Sequence, residues 1–392
     1  MKILYLSQRF DFETAGVYAD LVTELIKNNH EVTILTCDYK KKTVYSSIVT
    51  ANSIKIIYTK VPNQFVKSKL IKGLTQLILP FLMIRTYNKV LKGKEFDLIL
   101  HPTPPISFYY LVKYIKKNVK GIKSYLMLKD IFPQNGVDLD YFKKNSLVYK
   151  YYRSIEKKLY GISDRIGCMS VGNKNYVIDN NKQLNRSKIE VFPNTMKKYE
   201  YSFSHSKDEK IKFLIGGNLG LPQDIPYLMD CLLEVKYLTN IEFLIAGTGT
   251  YSKYIHDFIE ENKLVNVVYL GELDRNEYEE LVKKCHIGVI SLNYKFTIPN
   301  IPARFLSYIS KGLPVLLISD VITDLKSIIL YDAKCGFWSP SNDVSKFQRE
   351  ILKICSTDLV ALSKNAYSFF NDNYQVKYSV EILERFYREE IK

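Results

Sequence analysis

An alternation of short apolar runs with helical stretches, interrupted once by a polar segment, constrains the fold more than any other feature of the sequence. The apolar run at 2–8 is followed by a turn, a helix from about 17 to 28 and a second run, EVTILTC, which makes one βαβ unit. The rhythm stops at YSFSHSKDEK and restarts with IKFLIGGNLG. The pattern predicts two α/β domains with parallel sheets, and further strands in the first half at 54–59, 97–102, 124–130, 165–170 and 189–193.

Two Rossmann-like domains are the natural division of 392 residues, because a single hydrophobic core seldom grows that large. We expect the first domain at 1–203 and the second at 204–375, with a C-terminal helix at 376–392 that is free to pack back on the first. Open parallel sheets bind ligands at the carboxyl ends of their strands. We therefore expect the chemistry in a cleft between two facing sheets.

The six cysteines are widely scattered, with no CxxC pair and no Cys/His cluster at metal-ligand spacing. A structural zinc or a disulfide framework is not predicted. The N-terminal residues MKILYLSQRF run directly into a strand and carry none of the three regions of a secretory signal peptide. These features predict a cytoplasmic protein.

The net charge of +15 is concentrated in the first half of the chain. Residues 1–200 hold 34 Lys and Arg against 16 Asp and Glu, whereas the remainder is slightly acidic. Such segregation indicates a surface that faces a polyanion, either nucleic acid or an anionic membrane leaflet. Because no RNA-binding motif or recognition-helix module accompanies the charge, the membrane is preferred and no nucleic-acid partner is expected.

Basic residues of 40–94 surround the apolar run 77–84, which is too short to span a bilayer. The mixture is typical of a helix lying in the membrane interface, with lysines toward the headgroups and apolar side chains inserted. We expect peripheral association with the inner face of the cell membrane. A buried helix, kinked at Pro80 and with a solvated basic face, remains the alternative.

Glycines recur where the predicted strands turn into helices. They allow backbone amides to approach a phosphate at a helix N-terminus, so a nucleotide diphosphate would fit there. No complete GxGxxG with a following acidic residue and no P-loop is present, which argues against a nicotinamide cofactor or a P-loop nucleotide site. The candidate glycines are Gly16, Gly217, Gly220, Gly247 and Gly249.

The order of several short segments resembles that of the retaining family 4 glycosyltransferases of the GT-B fold, over essentially the whole chain. These segments include DLILHPTPP, KDIFPQNGVDL, GGNLGLPQD, LIAGTGT and IPARFLSYISKGLPV. The resemblance is strongest to the bacterial branch that builds O-antigen and capsule repeat units, including N-acetylfucosamine transferases. It implies transfer of a sugar from a nucleotide sugar, expected to be a UDP-sugar, to a polyprenyl-diphosphate-linked acceptor in surface polysaccharide (lipopolysaccharide or capsule) biosynthesis.

The resemblance also implies roles for individual residues. The second domain would hold the donor and the first the acceptor, with Arg304 in the place of the basic residue that offsets the donor diphosphate. Asp130 and His101, at predicted strand ends, would face the transferred sugar or the acceptor hydroxyl. Donor contacts are implied for Gly16, Gly217, Asn218, Gly220, Gly247, Gly249, Arg304, Ser307 and Gly312.

The chain departs from the family pattern at two carboxylates. Pro299 and Ser307 occupy the positions of the E-x7-E pair, and Lys129 stands where many relatives have a histidine. No DxD pair stands out to hold a metal beside the diphosphate, so no metal or other cofactor is expected. Two other functions stay open: a GT-B-fold sugar-nucleotide epimerase, and a non-catalytic membrane scaffold, which the two missing carboxylates would favour.

Overall fold

The computed structural model describes residues 1–10, 16–38, 54–62, 69–204 and 210–390. The chain divides into two compact units. Unit 1 comprises Met1–Thr195 together with Val376–Lys392, and unit 2 comprises Met196–Gln375. The first unit therefore ends at 195, eight residues before the predicted boundary at 203.

Unit 1 is built on a parallel sheet whose seven strands lie in the order β3-β2-β1-β4-β5-β6-β7. The strands that were predicted from apolar runs are confirmed, with ends that differ by at most two residues from the predictions. Their bounds are β1 Lys2–Leu6, β2 Glu31–Asp38, β3 Ile54–Lys60, β4 Leu98–Pro102, β5 Lys123–Leu128, β6 Arg165–Cys168 and β7 Ile189–Val191.

Among the described residues of unit 1, six helices lie between the strands, and the parallel sheet requires the chain to return to the same end before each strand. A single 3-10 turn, Arg186–Lys188, precedes β7 in the described part of the unit. The helices are α1 Val17–Lys27, α2 Lys69–Val90, α3 Phe108–Asn118, α4 Gln134–Asp138, α5 Leu147–Ile162 and α6 Val171–Asn180.

Helix α2 covers one face of the unit 1 sheet. Leu79, Met83 and Tyr87 are buried in the same core as β1, β2 and α3, while the opposite side of the helix is exposed. Pro80 lies within the helix. The buried side of the helix agrees with the alternative prediction of a buried helix. The exposed apolar side chains agree with the prediction of a helix at the membrane interface. Residues 40–53 and 63–68 of the predicted basic segment lie outside the described residues.

Unit 2 repeats the same plan with six parallel strands in the order β10-β9-β8-β11-β12-β13. The strands are β8 Ile211–Gly216, β9 Ile241–Ala246, β10 Val267–Gly271, β11 Ile287–Ser291, β12 Val315–Ser319 and β13 Gly336–Pro340. The helices are α7 Ile225–Glu234, α8 Ser252–Asn262, α9 Arg275–Lys284, α10 Ala303–Ile309, α11 Asp324–Ser327, α12 Val344–Cys355 and α13 Leu359–Asn373, with a 3-10 turn at Leu221–Gln223 and a π-helical turn at Ile328–Asp332.

The last helix, α14 (Val376–Glu390), belongs to unit 1. Val380, Leu383 and Phe386 of this helix are buried in the core that also holds α1 residues. At its edge, Glu384 is hydrogen-bonded to His30 (3.0 Å). The C-terminal helix therefore closes the face of the sheet opposite to α2 and α3.

Each sheet has its topological switch point where the strand order reverses, between β1 and β4 in unit 1 and between β8 and β11 in unit 2. Doubly wound sheets bind ligands in the crevice at the carboxyl ends of these central strands. The two predicted α/β domains with parallel sheets are confirmed. The switch points direct attention to the loops after β8 and β4, next to which β5 ends.

Candidate active site

The loop after β8 forms the centre of the candidate site in unit 2. Gly217 and Asn218 are exposed, whereas Gly220 is buried at the start of the following 3-10 turn. Gly217 has a φ of +101°, a conformation that disfavours other residues. The exposed part of the predicted glycine turn is therefore its first half.

A second loop, after β9, packs directly against the first. A Cβ on Gly247 would collide with the carbonyl oxygen of Gly217, and one on Gly249 would collide with that of Leu219. The Gly217 amide donates to the Ala246 carbonyl (3.1 Å). Gly247 and Gly249 thus have a structural role, because they allow the two loops to approach closely. Their contact with the donor stays a prediction.

Arg304, the second residue of α10, reaches from its helix to the end of β8. Its Nη1 donates to the Gly216 carbonyl (2.8 Å) and to Gln223 Oε1. Among the described residues Arg304 makes no ion pair with a carboxylate. Burial lowers the pKa of the guanidinium, which still remains a cation at neutral pH. The structure therefore fixes a positive charge beside Gly217, and no carboxylate in the described part of the chain neutralises it.

Gln223 is a residue of this site that the sequence analysis missed. Its side chain accepts from Arg304 and donates to the Asn218 carbonyl through Nε2, so it ties the arginine to the exposed loop. The only available signal was a polar side chain directly after Pro222 in a glycine-rich turn. The adjoining switch-point loop is joined to the same turn, because Asn293 donates to the carbonyls of Pro222 and Leu221 (both 3.0 Å).

The other predicted donor residues of unit 2 lie on or after α10. Ser307 is half-buried, one helical turn beyond Arg304, and Pro299 is buried before the helix. Gly312 is buried with a φ of +76°, and a side chain there would meet Tyr201 and Ser363. Gly312 is thus required by the turn, and any donor contact it makes would come through its backbone.

In unit 1, Asp130 lies just after β5, in a polar cluster at the carboxyl end of the sheet. Asn135 Nδ2 donates to its carboxylate, and Thr103 Oγ1 donates to its backbone carbonyl (3.1 Å). Burial raises the pKa of the Asp130 carboxyl to about 6, against hydrogen bonds from Ile131 and Asn135 that lower it. A partly desolvated carboxylate with a pKa near 6 is suited to accept or hold a proton.

Tyr18, in the first turn of α1, shares the surroundings of Asp130. Burial first, and then the charge of Asp130, raises the pKa of the Tyr18 hydroxyl to about 12, so it stays protonated. Gly16 precedes it as the N-cap of α1, with open space where a Cβ would be. The fold therefore brings the α1 N-terminus and Asp130 to the same end of the sheet. Tyr18 and Thr103 were not predicted from the sequence.

His101 is not available for chemistry in this structure, which corrects the expectation that it faces a substrate. It lies within β4, is 0% exposed and packs near Phe108 of α3. Neither ring nitrogen has a hydrogen-bond partner among the described residues. Burial lowers the pKa of His101 to about 3, so the ring is neutral and part of the core.

Lys129 points away from Asp130. Its Nζ donates to the backbone carbonyls of Phe192 (3.2 Å) and Pro193 (3.3 Å), which follow β7. Burial lowers the pKa of the ammonium to about 7, against a smaller raising contribution from Cys168. Lys129 thus braces the end of β7 against the loop that carries Asp130.

No group of three or more His, Cys, Asp or Glu side chains among the described residues could hold a metal ion. In the same residues, no helix combines the length and apolarity needed to cross a membrane.

Comparison with known families assigns both units. Residues 15–196 match the model of "Glycosyltransferase Family 4", and residues 197–369 match that of "Glycosyl transferases group 1". The junction of the two matches lies one residue from the boundary between the structural units. The chain is a glycosyltransferase of the GT-B type. It is therefore a sugar-transferring enzyme, as expected from the order of its motifs.

Individual relatives are distant. The chain is 24% identical over 336 residues to a probable glycosyltransferase WbjE of Pseudomonas aeruginosa, covering 82% of this chain and 81% of the relative. Among solved structures it is similar to HepE of Anabaena in complex with UDP and glucose (TM-score 0.68, 15% identity, 98% and 99% of the two chains). It is also similar to the lipopolysaccharide outer core galactosyltransferase WaaB (TM-score 0.65, 15% identity, 98% and 100%). At these identities the solved structures support the GT-B fold alone.

Proposed function

We propose that this glycosyltransferase transfers a sugar from a UDP-sugar to a polyprenyl-diphosphate-linked saccharide, with retention of the anomeric configuration. The reaction would take place at the cytoplasmic face of the cell membrane, in the assembly of a surface polysaccharide such as O-antigen or capsule. The donor would be a nucleoside-diphosphate sugar, and no metal would be required.

The observation that carries the proposal is the Arg304 guanidinium, which is held by hydrogen bonds to two neutral groups, the Gly216 carbonyl and Gln223. A buried or half-buried cation is costly unless an anion offsets it, and no carboxylate among the described residues does so. The cation is held beside the exposed Gly217 and Asn218, where a diphosphate could reach it. A donor diphosphate is the anion that a glycosyltransferase would place there.

The leaving group explains why such a cation would matter for rate. Charge accumulates on the diphosphate oxygens as the bond to the sugar breaks, so a fixed cation stabilises the transition state more than the ground state. Retention would then depend on a shielded leaving group and an acceptor that attacks from the same side. Asp130 is the candidate to orient the acceptor hydroxyl, and its raised pKa of about 6 leaves it mostly ionised at neutral pH.

Uridine as the base is supported by the HepE structure, which holds UDP and glucose. A polysaccharide pathway is supported by WaaB, which acts on lipopolysaccharide outer core. The lipid-linked acceptor is supported by the charge of this chain: the 34 Lys and Arg against 16 Asp and Glu in residues 1–200 would attract an anionic membrane and a diphosphate-linked lipid.

The experiment is a calorimetric titration of the purified protein with UDP-, GDP- and dTDP-sugars, followed by transfer to a synthetic prenyl-diphosphate saccharide. NMR of the product would give the anomeric configuration. Binding of UDP-sugars with transfer and retention would support the proposal. Release of an epimerised nucleotide sugar would replace it with the epimerase, whereas failure of every donor to bind would favour the scaffold.

A further inference from the structure

Three helices of unit 1 lie side by side on one face of the sheet, and their outward surfaces carry apolar side chains. Contacts between α2 and α3 and between α3 and α5 establish this order. On α2 the exposed side chains include Leu77, Ile78 and Phe81, and Phe81 is 56% exposed. These three form one stripe, because positions 77, 78 and 81 share a side of the helix.

The stripe continues across the neighbouring helices. The Phe81 ring lies 5.5 Å from that of Tyr110 on α3. Helices α3 and α5 are in contact, and the Tyr110 hydroxyl interacts with that of Tyr151. Burial, followed by this interaction, raises the pKa of Tyr110. On α5, Leu147 is 84% exposed and lies one turn before Tyr151. We call these side chains together the apolar ridge; it consists of Leu77, Ile78, Phe81, Tyr110, Leu147, Val148 and Tyr151.

The three helices that carry the apolar ridge are strongly basic. Helices α2, α3 and α5 together contain eleven Lys and Arg residues and a single carboxylate, Glu156. That carboxylate is buried and accepts from Arg153 (2.5 Å), so it does not reach the surface. Lys113 lies over the Tyr109 ring (5.7 Å), Lys158 is exposed and its charge acts on Tyr110, and Lys117 is exposed two helical turns after Tyr110 on the same side of α3. The ridge therefore presents apolar and aromatic groups in a cationic surround.

We infer that the apolar ridge is the surface through which unit 1 docks on an anionic lipid bilayer, with Phe81 and Leu147 inserted among the acyl chains. The inference rests on the proposed function for its purpose, since docking would bring the acceptor site to a lipid-linked substrate. It differs from the sequence prediction, which assigned the membrane contact to residues 40–94, by including α3 and α5.

The lysines around the apolar ridge favour an anionic bilayer over a second copy of the chain as the partner of this surface. Two copies meeting through the same face would bring their lysine rims together without carboxylates to match them, and like charges across an interface disfavour association. An anionic leaflet supplies the opposite charge over a wide area, and lysines with aromatic side chains are the residues typical of the membrane interface. Nucleic acid would match the lysines but would leave Leu77, Ile78 and Leu147 in water.

The test uses the single tryptophan of the chain, Trp338 in unit 2. In a Trp338→Phe background, Phe81→Trp places a fluorophore on the ridge, and Val265→Trp places one at a control site in unit 2 that is 84% exposed. Vesicles of phosphatidylglycerol and phosphatidylcholine should shift the emission to the blue for position 81 and leave that for position 265 unchanged. Pure phosphatidylcholine should give a much weaker response, and added NaCl should reduce the shift.

A second measurement guards against misfolding of the probe variants. Phe81→Ser combined with Leu147→Ser should lower vesicle binding by about tenfold or more in sedimentation, whereas Val265→Ser should not. Absence of vesicle binding by the unmodified chain, or binding without a shift at position 81, would overturn the inference. A shift that grows with protein concentration and without vesicles would assign the ridge to a second copy instead.

The donor site provides a separate readout. UDP binding is measured by calorimetry on the same Phe81→Ser and Leu147→Ser variant, which leaves every residue of unit 2 unchanged. Intact UDP binding together with a lack of vesicle binding by the wild type would refute the docking surface and leave the proposed reaction standing. Vesicle binding by the wild type without any UDP binding would support the docking surface and refute the proposed reaction.

Discussion

Removal of the Arg304 side chain is the sharpest test of how this enzyme would handle its donor. In the structure, Nη1 holds the Gly216 carbonyl and Gln223 Oε1, and the cation has no acidic partner among the described residues. Arg304→Ala therefore removes the charge and both hydrogen bonds. It also removes the hydrogen bond that ties the Gln223 side chain to α10, and leaves its bond to the Asn218 carbonyl.

The expected loss can be divided between chemistry and folding. One fixed donor to a developing oxyanion contributes about 3 kcal/mol, so kcat/KM should fall by about 100-fold to 1000-fold. Loss of two hydrogen bonds should cost about 1–3 kcal/mol of folding free energy. Arg304→Lys keeps the charge but not the planar fork, so it cannot hold Gly216 and an anion together, and an intermediate loss of about tenfold is expected.

The assay is steady-state transfer with varied UDP-sugar, with UDP affinity measured by calorimetry and folding by urea denaturation. Arg275→Ala is the matched control, because that arginine is also in unit 2 but pairs with Glu279 on the surface (3.0 Å). The control should keep nearly full activity. If Arg304→Ala stays folded and retains UDP affinity and kcat/KM within about threefold of wild type, the guanidinium does not bind the donor and the reasoning from its missing counter-charge is wrong.

Four further outcomes follow from the geometry. Gly247→Ala should weaken UDP binding and lower the unfolding midpoint in thermal melts, because its Cβ would collide with backbone, whereas Gly16→Ala should change stability by less than about 0.5 kcal/mol. Wild-type kcat/KM should fall about tenfold per pH unit below pH 6 if the ionised Asp130 carboxylate acts, and Asp130→Asn should be slow with a flat profile in the same assay. The depressed pKa of Lys129 means that the folded state loses its proton first, so folding stability should rise by about 1 kcal/mol per unit above pH 7; unfolding of Lys129→Met at pH 7, 8 and 9 should not show this rise. His101→Leu should keep kcat within about twofold and remain folded, and a loss of activity without unfolding would restore His101 as a catalytic candidate.

The fold was predictable because its signals are local and repeat. Each central strand is a short apolar run followed by a glycine or polar turn, as at Ile211–Gly216 and Ile241–Ala246. Parallel strands that are buried on both faces give such uninterrupted runs. The strand order then follows from the crossover rules for doubly wound sheets. The end of unit 1 at Thr195 was harder to predict from the sequence, because the segment from there to 204 contains no strand or helix that would mark the change of unit.

The same property of buried strands explains why His101 was misjudged. All five residues of β4 are buried, so the sequence shows no alternation that would tell which side chain faces a helix. Sequence placed His101 at a strand end, but the fold covers it with α3. Lys129 and Asp130 pose the converse problem: they are adjacent in sequence, yet one reaches toward β7 and the other toward Asn135. Direction within a loop depends on contacts that are distant in sequence.

The serine at position 307 is consistent with the lack of an acidic partner for Arg304 among the described residues. Positions 304 and 307 lie on the same side of α10, where a glutamate at 307 would be within reach of the guanidinium. With serine at that position, Arg304 keeps its full charge for an anion. The resemblance to family 4 enzymes implies that the glutamate of relatives holds the nucleotide ribose, so a hydroxyl would replace that carboxylate here. Donor affinity in this chain should therefore depend more on the diphosphate and less on the ribose than in relatives that carry the glutamate. This shift follows from charge alone and does not require the catalytic step to change.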